Sequence, residues 1–269
     1  MSRITARLLK AKGSGGSFIP FITAGDPDMD TSLSILRKLA DLGSDVIELG
    51  VPFSDPMADG PTIQRSSERS LAGGTTLKSV LALAKEFRKH SEVPVVLFSY
   101  FNPILRFGLA EFVKDAADSG VDGVLLTDVI EAEAAEISQR FAESGIDLIS
   151  LVAPTTSDER LGAICSNARG FVYAVSRAGV TGARSDTSQT AEDLVVRVKR
   201  YTDLPVAVGF GISTAKQIVD VWRYADAAVV GSAIVAEIER ADSAENAVDR
   251  VHRFVSGLLP QFAKGGTQN

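Results

Sequence analysis

Leu42-Gly43-Ser44-Asp45-Val46-Ile47-Glu48-Leu49-Gly50 ends a helical pattern on a glycine and passes at once into a short apolar run. A helix closes readily on glycine, which accepts the left-handed turn other residues resist. Asp45 to Gly50, aliphatic and β-branched, then reads as a buried strand. The same joint returns at Asp118-Ser119-Gly120-Val121-Asp122 and Glu143-Ser144-Gly145-Ile146-Asp147. Three copies of one helix-to-strand joint point to a repeated βα unit and a parallel sheet.

Outward from that joint, strand-like runs recur at Phe18 to Thr23, Asp45 to Gly50, Val93 to Phe98 and Gly123 to Thr127, then at Leu148 to Val152, Gly170 to Ala174, Pro205 to Val208 and Ala227 to Gly231. Helical patterns such as Leu33, Leu36, Leu39, Ala40 and Leu109, Phe112, Val113, Ala116 lie between them. Eight βα units in one chain predict an α/β fold, a single-domain (β/α)8 TIM barrel. An open doubly wound sheet uses the same unit, but it calls for a G-x-G-x-x-G loop after the first strand. Thr23-Ala24-Gly25-Asp26-Pro27 offers none. No linker divides residues 1–269, so one domain is expected. Met1 to Gly16 reads as an extra amphipathic helix, with Ile4, Leu8 and Leu9 inward, followed by a Gly/Ser hinge. Lys264 to Asn269 reads as a frayed polar tail.

The chain has 269 residues, 45% hydrophobic and 23% charged, with a formal charge of −6. Scattered Lys and Arg under a net negative charge argue against nucleic-acid or acidic-membrane partners. The single Cys165 excludes an intrachain disulfide and a thiolate metal cluster, so no metal is expected. No apolar run is long enough to span a bilayer and no secretory leader is evident, which predicts a cytoplasmic protein.

Chemistry concentrates in Glu48-Leu49-Gly50-Val51-Pro52-Phe53-Ser54-Asp55-Pro56-Met57-Ala58-Asp59-Gly60-Pro61-Thr62-Ile63-Gln64. Glu48 sits at a buried strand end, where a carboxylate must find a partner or shift its pKa upward, as a general acid/base requires. Asp59 sits in a Pro/Gly-constrained turn and can face the same ligand from another direction, although Gly60-Pro61-Thr62 also reads as a helix start that Asp59 could cap. In a barrel, phosphate commonly binds where the loops after strands seven and eight meet a helix N-terminus. Gly209-Phe210-Gly211-Ile212-Ser213 and Gly231-Ser232-Ala233-Ile234-Val235 occupy those places. Ser176 to Ser185, long and glycine-bearing, reads as a lid.

With these segments together, the chain resembles the tryptophan synthase α subunits. The likeness runs from about Phe18 to the C-terminal helix, and the Pro-Phe-Ser-Asp-Pro-x-Ala-Asp-Gly-Pro-x-Ile-Gln core is specific to that family. The resemblance implies a barrel that cleaves indole-3-glycerol phosphate to indole and glyceraldehyde 3-phosphate. It further implies that Glu48 is the acid/base and Asp59 accepts the indole N–H, with Tyr173 orienting Glu48 or the glycerol chain. Thr181 would contact the closed site. Gly182, Gly211, Gly231 and Ser232 would hold the phosphate, and Phe21 and Phe210 would flank the indole. Ser99, Phe101 and Ile130 depart from the residues frequent in that family, which bears on pocket and partner details.

The resemblance also implies a β subunit that carries pyridoxal phosphate and receives the indole in an αββα complex. The α chain itself would need no cofactor. Asp55, Pro56, Asn102 and Pro103 would face that partner. A stand-alone indole-releasing lyase, a non-catalytic activator of a β subunit and another phosphate-binding barrel are the alternatives. The last would want a lysine at a strand end, and none of the strand runs ends on one.

Overall fold

The computed structural model describes residues 1–11, 15–129, 131–175, 187–209 and 211–259. Among them run eight strands: β1 (Ser17–Thr23), β2 (Ile47–Gly50), β3 (Val95–Ser99), β4 (Gly123–Leu126), β5 (Asp147–Val152), β6 (Val172–Val175), β7 (Val206–Gly209) and β8 (Ala227–Val230). The helices are α1 (Arg3–Ala11), α2 (Met29–Asp41), α3 (Pro61–Ala72), α4 (Leu77–Arg88), α5 (Phe101–Phe107) and α6 (Leu109–Asp118), then α7 (Glu131–Glu143), α8 (Asp158–Asn167), α9 (Thr187–Val198), α10 (Ala215–Trp222), α11 (Ser232–Glu239) and α12 (Ala244–Leu258). Each strand pairs in parallel with the next, and β1 closes on β8 with Ser17 opposite Ala227 and Pro20 opposite Val230. This is the closed barrel the repeated joint predicts. One helix per strand was the simplest expectation, whereas β2, β3 and β8 each carry two.

The structure explains why the joint repeats. Gly43, Gly120 and Gly145 have φ of +90°, +74° and +77°, the left-handed turn that ends a helix. Two residues later comes an aspartate. The Phe18 N–H donates to Asp45 Oδ2 at 3.0 Å and the Val95 N–H to Asp122 Oδ2 at 2.8 Å. Asp45 and Asp122 thus each accept an N–H from the start of the neighbouring strand, a donor that would otherwise be lost in burial, whereas Asp147 at the third joint faces Arg169 at 3.6 Å. Asp226, without the glycine, does the same for Val206 at 3.0 Å. Arg7 lies 3.3 Å from Asp45, Arg88 2.8 Å from Asp122 and Lys199 3.3 Å from Asp226. The N-terminal rim of the barrel is therefore a ring of carboxylates answered by cations.

Inward and outward residues alternate along the strands. Ile47 and Leu49 of β2 and Val172 and Ala174 of β6 pack against the helices. Ile19, Val46, Val96, Leu125, Ile149, Phe171, Tyr173, Ala207, Ala227 and Val229 fill the barrel. Ile4 and Leu8 of α1 join that inner cluster, and the Thr5 hydroxyl donates to the Gly170 carbonyl at 2.8 Å. The N-terminal helix is a plug in the bottom of the barrel. Leu9, expected inward, is only half-buried, because the positions that point into the barrel lie four apart at Ile4 and Leu8.

Candidate active site

At the C-terminal mouth, side chains from several strands and the loops beyond them enclose a cavity of about 250 Å³. Phe21, Glu48, Asp59, Phe98, Tyr173, Val229, Gly211, Gly231 and Ser232 line it, with Gly60 to Ile63 of the α3 N-terminus. Sequence-distant residues meet here because the parallel register brings matching strand ends together. Phe21 of β1 is opposite Glu48 of β2, and Glu48 is opposite Val96 of β3.

Glu48 is 1% exposed, and its Oε1 has no hydrogen-bond partner among the described residues. Burial penalises its charged form and pushes the carboxyl up to about 8. At neutral pH it is mostly protonated, the state a general acid starts from. Tyr173 lies close enough that the Glu48 charge, after burial, raises its phenol well above the ordinary value. The Tyr173 hydroxyl nestles against the β7 backbone, where a Cβ on Gly209 would lie 2.0 Å from it. Only glycine leaves that room.

Asp59 does not cap α3. The N-cap is Gly60, with Pro61 in the first turn and no side-chain cap bond. A turn closed by the Asp59 N–H to the Pro56 carbonyl at 3.0 Å leaves the carboxylate for the cavity. The Tyr100 hydroxyl donates to Asp59 Oδ2 at 3.2 Å and accepts from the Ala58 N–H at 2.8 Å. Burial raises Asp59 to about 6 against the opposing pull of the Tyr100 bond. The two carboxyl groups of the cavity thus differ: at neutral pH Asp59 is mostly ionised and Glu48 mostly protonated.

Gly231 begins α11 as its N-cap without a side-chain bond, so the first N–H groups of the helix stay available to an anion. Gly211 has φ +79°, a turn that favours glycine. Phe21 meets Phe98 edge to face at 5.5 Å and 78°, which makes an aromatic wall. Among the described residues no cluster of His, Cys, Asp or Glu could hold a metal ion.

Thr181, Gly182 and Phe210 lie outside the described residues, as does the whole Ser176 to Ser185 segment read as a lid. Asp55, Pro56, Asn102 and Pro103 do not line the cavity. Asp55 and Asn102 are exposed, on the loop after β2 and the helix after β3, and these two segments pack through the Phe53 and Tyr100 rings 5.1 Å apart. Met57 is 92% exposed and Leu105 53% exposed on the same two segments. Phe98, Tyr100 and Val229 are site residues that sequence reasoning missed. For Phe98 and Val229 a signal was present: each is two positions beyond an inward residue of its own strand, Val96 and Ala227.

A (β/α)8 barrel with two carboxyl groups of unlike protonation in its C-terminal mouth, beside an open helix N-terminus, defines a class: a barrel enzyme of acid–base chemistry. Comparison with known proteins narrows it. The family model described as tryptophan synthase alpha chain matches residues 7–262. The chain is 48% identical over 259 residues to the tryptophan synthase alpha chain of Geobacter sulfurreducens, covering 96% of this chain and 98% of that one. It is 46% identical over 266 residues to that of Citrifermentans bemidjiense, covering 98% and 99%. Among solved structures, the α subunit of Legionella pneumophila superposes with a TM-score of 0.87 at 36% identity, over 96% of this chain and 97% of that one. A chain from the Pyrococcus furiosus structure described as the mutually activating tryptophan synthase α2β2 complex gives 0.84 at 44% identity, over 91% and 97%. The chain belongs to the tryptophan synthase alpha chain family.

Proposed function

We propose that the chain cleaves indole-3-glycerol phosphate to indole and glyceraldehyde 3-phosphate, with Glu48 as the single acid/base. The observation that carries this reading is Glu48, a buried carboxyl near neutral pKa at the wall of the cavity. Glu48 first donates its proton to C3 of the indole ring, and the ring nitrogen takes on iminium character. Asp59, ionised, accepts the N–H and stabilises that charge. The Glu48 carboxylate then removes the proton from the hydroxyl adjacent to the breaking bond. The C3–carbon bond breaks, its electrons restore the indole, and the hydroxyl carbon becomes the aldehyde. Glu48 ends protonated, ready for another cycle.

Tyr173 keeps the Glu48 carboxyl or the glycerol chain in line. Phe21 and Phe98 bracket the indole, and Gly211, Gly231 and Ser232 hold the phosphate on the α11 N-terminus. Thr181, Gly182 and Phe210 complete the site in the same proposal. The chain needs no cofactor of its own; pyridoxal phosphate belongs to the β subunit that receives the indole in an αββα complex. The complex described for the Pyrococcus relative supports that partner. Asp55, Pro56, Asn102 and Pro103, joined by the exposed Met57 and Leu105, form the face we assign to it. A cytoplasmic location is part of the same reading; no helix among the described residues is long and apolar enough to cross a membrane.

Indole release by the purified chain, with and without a β subunit, tests the proposal. Weak release alone and a large increase with the partner are expected, and Glu48→Gln should abolish both. Full activity in Glu48→Gln would overturn the assignment of Glu48.

A further inference from the structure

We infer that Glu239, at the end of α11 remote from the cavity, is a positioning residue that fixes the phosphate-binding end of α11 relative to the Asp59 loop. The inference rests on the phosphate site and acid pair proposed above. Two helices present their N-termini to the cavity: α3, through Gly60 to Ile63, and α11, through Gly231 and Ser232. The far end of α11 is tied to the middle and last turn of α3. Glu239 Oε1 accepts from Arg65 Nε at 2.6 Å and from Arg69 NH1 at 3.0 Å, and Oε2 accepts from Arg65 NH2 at 2.8 Å.

The tie does not end at Glu239. Arg69 turns its other nitrogens onto both oxygens of Asp26, at 2.8 Å each, and the Asp26 carboxylate is fully buried behind β1. Below it, Thr23 and Ser66 share a hydrogen bond of 2.6 Å, and the Ser70 hydroxyl donates to the Ala24 carbonyl at 2.5 Å. One face of α3 is thereby locked to β1, and Glu239 is the side chain through which α11 is locked to α3. Planar guanidinium forks hold carboxylates in a fixed geometry as well as attracting them.

Glu239 stands where its own helix disfavours it, because a carboxylate at a helix C-terminus opposes the macrodipole. The two arginines reverse that preference, and their hydrogen bonds and charge hold its carboxyl down at about 2. Ser232 and Glu239 are the ends of one short helix, roughly 10 Å apart at the usual rise. A helix that short is stiff, so the clamp at its far end controls the angle at which its N–H groups enter the cavity. Glu239 touches no substrate itself.

Glu239→Gln keeps the shape and removes the charge; Arg65→Met removes the fork from the other side and serves if the first variant folds poorly. For the folded proteins, inorganic phosphate affinity by calorimetry, KM and kcat for indole release, and the thermal midpoint are measured. The phosphate Kd and KM should rise together by about tenfold, the scale on which residues touching no ligand modulate a site, while kcat changes much less. A merely structural role would lower the midpoint and leave Kd and KM within twofold of wild type, which would overturn the inference. Ser232→Ala is the control. If it weakens phosphate binding and Glu239→Gln does not, the inference alone fails; if neither variant changes phosphate binding, the phosphate site itself is refuted and the inference falls with it.

Discussion

Replacing Glu48 by glutamine should give a protein that is inactive and more stable, with a gain that grows with pH. The carboxyl sits at about 8 in the folded chain against an ordinary 4.5. A carboxyl raised on folding gives its full contribution below the unfolded pKa and loses it as the pH climbs towards the folded one. Glutamine does not titrate. Relative to it, wild type should lose nothing at pH 4, roughly 3 kcal/mol at pH 7, and about 5 kcal/mol once the pH passes the folded pKa. That is a large part of the usual stability of a domain. Urea unfolding of both proteins at several pH values between 5 and 9 measures the difference. The slope carries the information, since the glutamine amide adds a constant offset of its own. Parallel curves, with one difference at every pH, would refute the reasoning and mean that Glu48 ionises normally in the folded protein.

Other outcomes follow from the same geometry. Tyr100→Phe removes the bond that holds Asp59 down, so the acid limb of the kcat/KM profile should move up by about half to one pH unit; an unmoved limb would mean that Asp59 does not act as the ionised group. Gly209→Ala puts a methyl into the Tyr173 hydroxyl and should cost roughly 1–3 kcal/mol of strain. Indole release should fall sharply while circular dichroism stays native, and full activity would show that the hydroxyl has room to move. Asp122→Ala strips the Val95 N–H of its acceptor and leaves Arg88 with backbone carbonyls but no carboxylate, and should cost about 2–4 kcal/mol in urea titration. It lies at the opposite mouth from the cavity, so KM and kcat should hold, and a changed KM would contradict the division of the barrel into a stabilising and a reacting end.

The joint at Gly43, Gly120 and Gly145 was legible because a left-handed helix end leaves a mark in single residues. The aspartates that follow stand in the same echo, but the role of Asp45 and Asp122 was not legible, since the N–H each accepts belongs to a different strand. Glu48 stood out as a carboxylate in an apolar run. Phe98 did not, because strands buried on both faces are apolar on both, and its spacing of two from Val96 marks it as inward only once Val96 is known to point into the barrel. The Tyr100 to Asp59 bond and the Glu239 clamp join residues distant in sequence, and local pattern carries no trace of such pairs. Asp59 as a possible helix cap was a fair reading of Gly60-Pro61-Thr62; the extra turn residue before the helix sets it free.

The α1 plug has a bearing on traffic. Ile4 and Leu8 stopper the barrel from below, and the residues stacked above them leave Glu48 at the foot of a vessel with its opening at the top. With the lower end filled by its own helix, the barrel offers a partner that takes the indole only the upper end for the exchange, the end on which the loop after β2 and the helix after β3 lie.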